Sequence, residues 1–305
     1  MFLKDSTVEI VEISPYFTVG KHGILHKQTV RGIFMEQKSK SKRKKFKVVL
    51  VIFLITLLIL VFNNIYENRT LAQMNETYKL SDTFKQESFL ERSTFVTERD
   101  DEVTIAVLGS SVTFGKGATE DQPVWGDLLE ADLNGMDGIN AKVINHGYSG
   151  YSTADLISRK KIDAVIKDKP DIVIFELCLI NNNRYPQNDI NQTKLDIQWI
   201  MDRFSEELPD TLVILQTANP TIYNDVFLED GKVTYDEYNN EIAEYVKAQQ
   251  WPFIDTYHLM QTKMEDQNLA LEEILDDNVH PNGVGYGLWF ELLKERLNMP
   301  VKELH

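Results

Sequence analysis

Cysteine is almost absent from this chain, since Cys178 is the only one among 305 residues. A single cysteine excludes an intramolecular disulfide, and it excludes a zinc site built on cysteine ligands. Because Cys178 lies in the apolar run 172–180, we interpret it as a small core residue rather than a reactive thiol. A domain that lies outside a membrane without disulfides is more typical of a Gram-positive-like cell surface than of a eukaryotic secretory route.

Positive charge is scarce beyond the first part of the chain. Residues 1–63 contain 11 Lys and Arg against 4 Asp and Glu, whereas the remainder contains 21 against 43. A body this acidic repels phosphate backbones, so the composition disfavours nucleic acid binding. The length is sufficient for one substantial domain with additional segments.

Long apolar runs are lacking as well, with one exception at residues 48–62 (VVLVIFLITLLILVF). Thr56 is its only polar residue, whereas a core helix would show polar residues at helical spacing. Residues 63–66 extend the run to about the 20 residues that cross a bilayer. Seven Lys and Arg residues between positions 38 and 47 precede it. The positive-inside rule therefore predicts a cytoplasmic N-terminus and export of everything that follows.

We predict four segments in the order of the chain. They are a basic cytoplasmic tail at 1–47, a transmembrane signal anchor at 48–66, a polar stalk at 67–100 and a folded domain at 101–305. Met35 would begin an ordinary short basic leader, so residues 1–34 are open to interpretation as an upstream extension. A cleaved signal peptide is the alternative to a retained anchor, but its one tolerable cleavage site, at Ala72, ends ten residues beyond Phe62.

Short runs rich in β-branched residues alternate with helical patterns beyond residue 100. Five runs predict strands, at 103–108, 142–145, 171–177, 211–217 and 253–255. Apolar residues recur at helical spacing within 122–134, 235–249 and 285–298. This alternation indicates a three-layer α/β domain in which helices cover both faces of a parallel sheet. Such sheets place functional residues in the loops at the carboxyl ends of their strands.

The first of these loops is residues 109–115 (GSSVTFG). Ser111 can present its hydroxyl at the sheet edge there, with its own backbone N–H free to donate. A turn with a helix N-cap is the structural alternative. Thr113 stands where a Gly-x-Ser-x-Gly nucleophile elbow requires its second glycine, and no Lys-Ser/Thr follows as in a phosphate loop.

The loops after the second and third predicted strands contain further polar candidates. Residues 145–150 (NHGYSG) include two glycines, which allow a bare backbone N–H to approach a ligand. We interpret His146 in this loop as a structural polar residue rather than a base. Residues 181–183 are three asparagines. They either form a simple turn or supply a neutral side-chain amide that donates to a developing oxyanion.

The last loop, residues 276–282 (DDNVHPN), precedes the final predicted helix. Asp277 and His280 are three residues apart, so they can hydrogen-bond locally and fix the imidazole tautomer. A metal pair and a helix cap are the alternatives. A zinc site lacks a convincing third ligand, so we expect no metal.

Together, these four loops resemble the four sequence blocks of the SGNH (GDSL) hydrolase family in their order and separation. The resemblance covers roughly residues 102–297. It implies a flavodoxin-like, five-stranded parallel sheet and a serine esterase that requires no cofactor. Two departures stand out: Ser110 replaces the usual aspartate before the nucleophile, and Asn181-Asn182 replaces the usual Gly-x-Asn-Asp.

The resemblance also implies a role for each matching residue. It assigns Ser111 as the nucleophile, His280 as the base and Asp277 as the residue that holds the histidine. It assigns the oxyanion hole to the backbone N–H groups of Ser111 and Gly150 and to the side chain of Asn181. Because the third block is irregular, Asn182 and Asn183 remain alternatives to Asn181, and Asp276 remains an alternative to Asp277.

We therefore expect an extracytoplasmic esterase that is held at the cell membrane by its N-terminal helix. Its expected substrates are O-acyl esters, foremost O-acetyl groups on a cell-surface glycan, or small esters, cleaved through an acyl-enzyme. An acyltransferase would use the same residues and is not distinguished by the sequence. A catalytically silent surface module that binds a glycan or a partner protein is the alternative from another class.

Overall fold

A computed structural model describes residues 47–62, 88–184, 188–223 and 233–304 of the protein. Residues 47–62 are helical and belong to a first unit of the chain, separate from the unit that contains the folded domain. Among the described residues, no helix combines the length and the apolarity needed to cross a membrane. The rest of the predicted anchor, residues 63–66, lies outside the described residues, as do residues 1–46 and 67–87.

The folded domain is built on one parallel sheet. Its strands are β1 (Val103–Gly109), β2 (Ala141–Gly147), β3 (Ile172–Glu176), β4 (Leu212–Gln216) and β5 (Phe253–Ile254). They lie in the order β2-β1-β3-β4-β5, and every neighbouring pair is parallel. Each strand agrees with its predicted run to within two residues at either end. The prediction of an α/β domain with a five-stranded parallel sheet is confirmed.

Helices cover both faces of this sheet. With the helix at 47–62 counted as α1, they are α2 (Phe89–Asp100), α3 (Ser111–Phe114), α4 (Trp125–Asn134), α5 (Thr153–Ser158), α6 (Lys161–Asp168), α7 (Leu179–Asn183), α8 (Ile190–Glu207), α9 (Tyr235–Ala248), α10 (Thr256–Gln267), α11 (Leu271–Ile274) and α12 (Gly283–Lys294). One group packs together as α4, α10, α11 and α12, and another as α5, α6, α8 and α9. Consecutive residues of β1 and β3 are buried, as a sheet covered on both faces requires.

The core joins α4 to α12 through two tryptophans. Trp125 and Trp289 are fully buried and stack with ring centroids 5.7 Å apart. The indole N–H of Trp289 donates to the side-chain oxygen of Gln216 at 3.1 Å, so this buried polar group is satisfied. Helix α4 begins later than the predicted position 122, because Pro123 disfavours helical geometry at the residue before it.

Helix α2 begins at a complete capping box. The hydroxyl of Ser88 accepts the backbone N–H of Glu91 at 3.1 Å, and the Glu91 carboxylate accepts the backbone N–H of Ser88 at 2.8 Å. Both interactions satisfy N–H groups that a helix N-terminus otherwise leaves unpaired. The segment that the sequence assigned to a polar stalk therefore has a defined helical start.

The same helix is packed into the domain. Phe89 and Val96 have no exposed surface and belong to the main hydrophobic core. The backbone N–H of Leu90 donates to the carbonyl of Leu297 at 3.0 Å. The packed domain thus begins before residue 101, earlier than the predicted boundary. The boundary was misplaced because only two widely spaced residues of this polar segment are buried apolar residues of the core.

Substituting Phe89 tests whether α2 belongs to the domain. We expect Phe89→Ala to lower the free energy of unfolding by about 3–5 kcal/mol, because it leaves a cavity in the core. Phe95→Ala on the same helix removes a ring that is 49% exposed and should change stability by no more than about 0.5 kcal/mol. Urea unfolding measures both. Equal effects of the two substitutions would contradict the packing of α2.

Candidate active site

The turn after β1 presents Ser111 at the carboxyl end of the sheet. Ser111 is the first residue of the short helix α3 and is only 4% exposed. The turn requires glycine at position 109, because a β-carbon there would lie 2.3 Å from the Thr113 hydroxyl and 2.6 Å from the Glu176 carboxylate. Close packing around Gly109 at the end of β1 therefore fixes the position of the turn that carries the Ser111 hydroxyl.

A continuous hydrogen-bond chain runs from Ser111 through His280 to Asp277. The Ser111 Oγ lies 3.0 Å from His280 Nε2, although the two residues are 169 positions apart in sequence. His280 Nδ1 lies 2.8 Å from Asp277 Oδ2. An ionised carboxylate only accepts, so Nδ1 carries the proton and Nε2 is left to accept the serine hydroxyl. The structure thus brings all three predicted residues together in the order that nucleophilic catalysis requires.

Asp277 is held in its ionised form by its own loop. Its Oδ1 accepts the backbone N–H groups of Val279 at 2.7 Å and His280 at 2.8 Å. Partial burial raises the pKa of Asp277, but the hydrogen bonds from His280 and Val279 outweigh it and lower the pKa to about 2. Asp276 contributes differently, because its backbone N–H donates to the His280 carbonyl at 2.8 Å. The imidazole partner is therefore Asp277 rather than Asp276.

A cleft of about 310 Å³ opens on the Ser111 hydroxyl. Gly150 and Asn181 line it together with Ser111 and His280. Gly150 has φ +79, in the left-handed region that favours glycine. The side-chain Nδ2 of Asn181 is buried and has no hydrogen-bond partner among the described residues. A buried amide donor without an acceptor, beside a candidate nucleophile, can donate to an oxyanion.

The neighbouring residue, Asn182, makes structural hydrogen bonds between helices. Asn182 Oδ1 accepts the backbone N–H of Thr153 at 2.9 Å, and its Nδ2 donates to the hydroxyls of Thr153 and Thr193 at 3.1 and 3.3 Å. These bonds tie α7 to α5 and α8. Asn183 is buried and, like Asn182, is not among the residues that line the cleft. Of the three candidates, Asn181 is the one at the cleft.

His146 lies apart from this cleft. Its Nε2 contacts the Asp168 carboxylate at 2.8 Å, and its Nδ1 contacts the Tyr148 hydroxyl at 3.1 Å. Both ring nitrogens are therefore occupied by partners outside the site. Within the described ranges, no three His, Cys, Asp or Glu side chains converge on a position that could hold a metal ion.

A sequence profile of the GDSL-like lipase/acylhydrolase family matches residues 107–288. The chain belongs to this family. The match spans the serine turn, the cleft loops and the Asp277–His280 loop, so the resemblance predicted from the four loops is confirmed. The protein is a hydrolase of the SGNH type. A search of curated protein sequences finds no match to the chain.

Solved structures share the fold of this hydrolase. An acetylxylan esterase from Geobacillus stearothermophilus, solved as a catalytic mutant, has a TM-score of 0.53 at 16% identity, covering 65% of this chain and 95% of that chain. A lipolytic protein of the G-D-S-L family from Desulfitobacterium hafniense has a TM-score of 0.50 at 21% identity, covering 64% and 99%. A two-domain esterase active on acetylated mannans has 0.53 at 18% identity, covering 72% and 55%. At these identities the likeness supports the fold.

One buried side chain at this site was missed by the sequence analysis. Glu176, the last residue of β3, has no exposed surface. One carboxylate oxygen accepts the backbone N–H of Ser110 at 2.6 Å and the other accepts the backbone N–H of Cys178 at 2.7 Å. The Thr113 hydroxyl adds a longer bond at 3.3 Å. A single carboxyl group thus joins the turn that carries Ser111 to the turn that leads into Asn181.

Burial raises the pKa of the Glu176 carboxyl, while the hydrogen bonds from Ser110 and Cys178 oppose that rise. A carboxylate inside a strand whose other residues are apolar requires buried hydrogen-bond donors. The presence of Glu176 at the end of such a strand was therefore a sequence signal for a buried hydrogen-bonded group. The sequence did not reveal which donors those would be. They are backbone N–H groups in the turns that follow β1 and β3.

Glu176→Gln tests this link between the two turns. Glutamine has one acceptor oxygen, so its amide group would face one of the two backbone N–H donors. We expect the free energy of unfolding to fall by about 2 kcal/mol. The kcat for an aryl acetate should fall about 10-fold or more, with a smaller change in KM, because Ser111 and the candidate oxyanion donor Asn181 would lose their relative position.

The matched control is Glu102→Gln, the same chemical change at an exposed position just before β1. Urea unfolding and steady-state kinetics measure both variants. If Glu176→Gln were as stable and as active as Glu102→Gln, the proposed link would be wrong.

Proposed function

We propose that this hydrolase is an esterase that cleaves O-acyl esters through a covalent acyl-enzyme on Ser111. The observation that carries the proposal is the unbroken hydrogen-bond chain from Ser111 to His280 to Asp277 at the mouth of the cleft. His280 Nε2 takes the hydroxyl proton while the Ser111 oxygen attacks the ester carbonyl. The tetrahedral intermediate then expels the alcohol, which receives that proton from His280. A water molecule, deprotonated by His280, releases the acid and restores the serine.

The oxyanion of each tetrahedral intermediate would be stabilised by hydrogen-bond donors at the cleft. The candidate donors are the backbone N–H groups of Ser111 and Gly150 and the Asn181 amide. Support comes from the buried, unpartnered Nδ2 of Asn181 and from the position of Ser111 in the first turn of α3, where N–H groups lack intrahelical acceptors. One such donor typically contributes about 3 kcal/mol to transition-state stabilisation.

The proposed substrate is an O-acetyl ester on a glycan. The cleft is small, and Ile180 and Val279 are the main apolar side chains among its lining residues, so a long acyl chain would find little apolar surface. Structural neighbours include an acetylxylan esterase and an esterase active on acetylated mannans, which supports the same class of substrate.

Ser111→Ala tests the chemistry directly. We expect the wild-type protein to hydrolyse an aryl acetate and to be labelled by a fluorophosphonate probe. Ser111→Ala should lose labelling and reduce kcat by about 10⁴-fold or more while circular dichroism stays unchanged. Ser149→Ala, which alters another serine that lines the cleft, should still be labelled. An unlabelled wild type, or an active Ser111→Ala variant, would refute the proposal.

We also propose that residues 48–66 anchor the chain in a membrane with the catalytic domain on the outer side. The run at 48–62 has no charge, and Lys and Arg residues precede it. Its described residues are helical and their side chains are solvent-exposed, so among the described residues nothing covers this apolar helix.

Membrane extraction tests the anchor. Expressed in a bacterium, the full chain should remain in the membrane pellet after an alkaline carbonate wash, and external protease should digest the domain in intact cells. Replacing Leu54 and Leu58 with arginine should release the protein, because each arginine costs about 2.5–3.5 kcal/mol at a helix centre. Release of the wild-type chain, or a mature N-terminus just after Ala72, would contradict a retained anchor.

A further inference from the structure

The cleft beside Ser111 contains two cationic side chains in a protein with an excess of acid. Asp and Glu outnumber Lys and Arg by 47 to 32 in the whole chain. Yet Lys116 and Arg184 both line the cleft, and Asp277 is the only carboxylate among those lining residues that the structure describes. Asp277 is already engaged by His280. The charge that the described lining residues offer to a ligand is therefore positive, opposite in sign to the net charge of the chain.

Arg184 is unlike the other arginines of the domain. Among the six arginines that the structure describes, five bond to a carboxylate or a carbonyl: Arg92 to the Asp210 carbonyl, Arg99 to Asp100, Arg159 to Asp155, Arg203 to Glu207 and Arg296 to the Leu292 carbonyl. The guanidinium of Arg184 makes no hydrogen bond or ion pair with any described residue. Within the described part of the chain, its side-chain donors are therefore free for a ligand.

Arg184 lies close to the residues that are proposed to bind the reacting ester carbonyl. It follows α7, the helix that carries Asn181, and its backbone N–H donates to the Ile180 carbonyl at 3.2 Å. Its guanidinium Nη2 lies 4.0 Å from the point where a β-carbon on Gly150 would stand. The free guanidinium is thus beside the proposed oxyanion donors and close to any group attached next to the ester.

Lys116 extends from the serine side of the cleft. Its backbone N–H donates to the Ser111 carbonyl at 3.0 Å, and its own carbonyl accepts the Tyr286 hydroxyl at 2.7 Å. The backbone is therefore fixed, while the exposed ammonium pairs with no described residue. Asp276 lies near Gly117, the next residue, but forms no ion pair with Lys116 in the described part of the chain.

We propose that the acylated glycan carries an anionic group, a carboxylate or a phosphate, close to the ester, and that Arg184 and Lys116 bind this group. The inference rests on the proposed esterase function. A guanidinium fork binds carboxylate and phosphate oxygens in pairs, which a neutral glycan does not offer. The acidic body repels a polyanion, so a cationic cleft is needed to hold such a substrate at the serine.

Three probes that differ only at carbon 6 of one sugar test this inference. They are the methyl glycoside of tri-O-acetylglucuronic acid with its carboxylate free, the uncharged methyl ester of that glycoside, and methyl tri-O-acetylglucoside 6-phosphate. Acetate release is measured with the full chain at one pH and one ionic strength, and kcat/KM is compared between probes. The ratio of an anionic probe to the methyl ester within each variant cancels any general loss of activity.

We expect the kcat/KM of the wild type to be about 10-fold higher for an anionic probe than for the methyl ester, because the free energy of one charged hydrogen-bonded pair corresponds to a ratio of that size. Arg184→Gln should bring that ratio close to one, Lys116→Gln should lower it, and Arg184→Lys should restore part of it. Lys142→Gln removes an exposed cation on β2 outside the cleft and should keep the wild-type ratio. A stronger preference for the carboxylate indicates a uronate-bearing glycan, and one for the phosphate indicates a phosphorylated glycan.

If the wild type cleaves all three probes but shows no preference for either anion, the inference is wrong and the proposed esterase stands. The same conclusion follows if Arg184→Gln keeps the wild-type ratio. If the wild type cleaves no probe, no aryl acetate, and resists the fluorophosphonate, the proposed function itself fails and the inference falls with it.

Discussion

The site depends on one buried carboxylate. Glu176 accepts backbone N–H groups from both Ser110 and Cys178, so the turns after β1 and β3 are held in fixed relation. A fully buried carboxylate that lost a donor would lower the stability of the fold, so the positions of both turns are closely constrained. It also leaves no room for a side chain at Gly109. The positions of the proposed nucleophile and the proposed oxyanion donor thus depend on Glu176, which hydrogen-bonds to the backbone of both turns but is not among the described residues that line the cleft.

The third component of the site comes from a different part of the chain and is fixed by local bonds. Within residues 276–282, the Asp277 carboxylate accepts two backbone N–H groups and the imidazole. Asn282 then accepts the N–H groups of Val284 and Gly285 and so starts α12. The Asn219 side chain adds a bond to the Val279 carbonyl at 2.8 Å. The Tyr286 hydroxyl of α12 donates to the Lys116 carbonyl at 2.7 Å and so joins this helix to the segment that follows Ser111. Rigid elements therefore position every proposed catalytic group.

The strands and the loops that hold the site were predictable because their signals are local. Buried parallel strands are apolar runs, and Asp277 and His280 are close enough in sequence to pair directly. Other features depend on contacts that no local pattern contains. Consecutive asparagines on the single turn of α7 point in different directions, so only the fold separates Asn181 from Asn182. The donors to Glu176 are backbone N–H groups, which residue types do not identify. That α2 belongs to the domain is evident only from the burial of Phe89 in the core.

Helix α2 has a further consequence for how the protein is made. The backbone of Ser88 pairs with Pro300, and the backbone N–H of Leu90 donates to the Leu297 carbonyl, so the start of α2 is completed by residues that follow β5 in the sequence. During synthesis the helix is made before all five strands, whereas its backbone partners are made after them. Helix α2 therefore lacks these partners until the whole sheet has been made. If the chain is threaded across a membrane as it is made, the domain reaches its final form only on the far side.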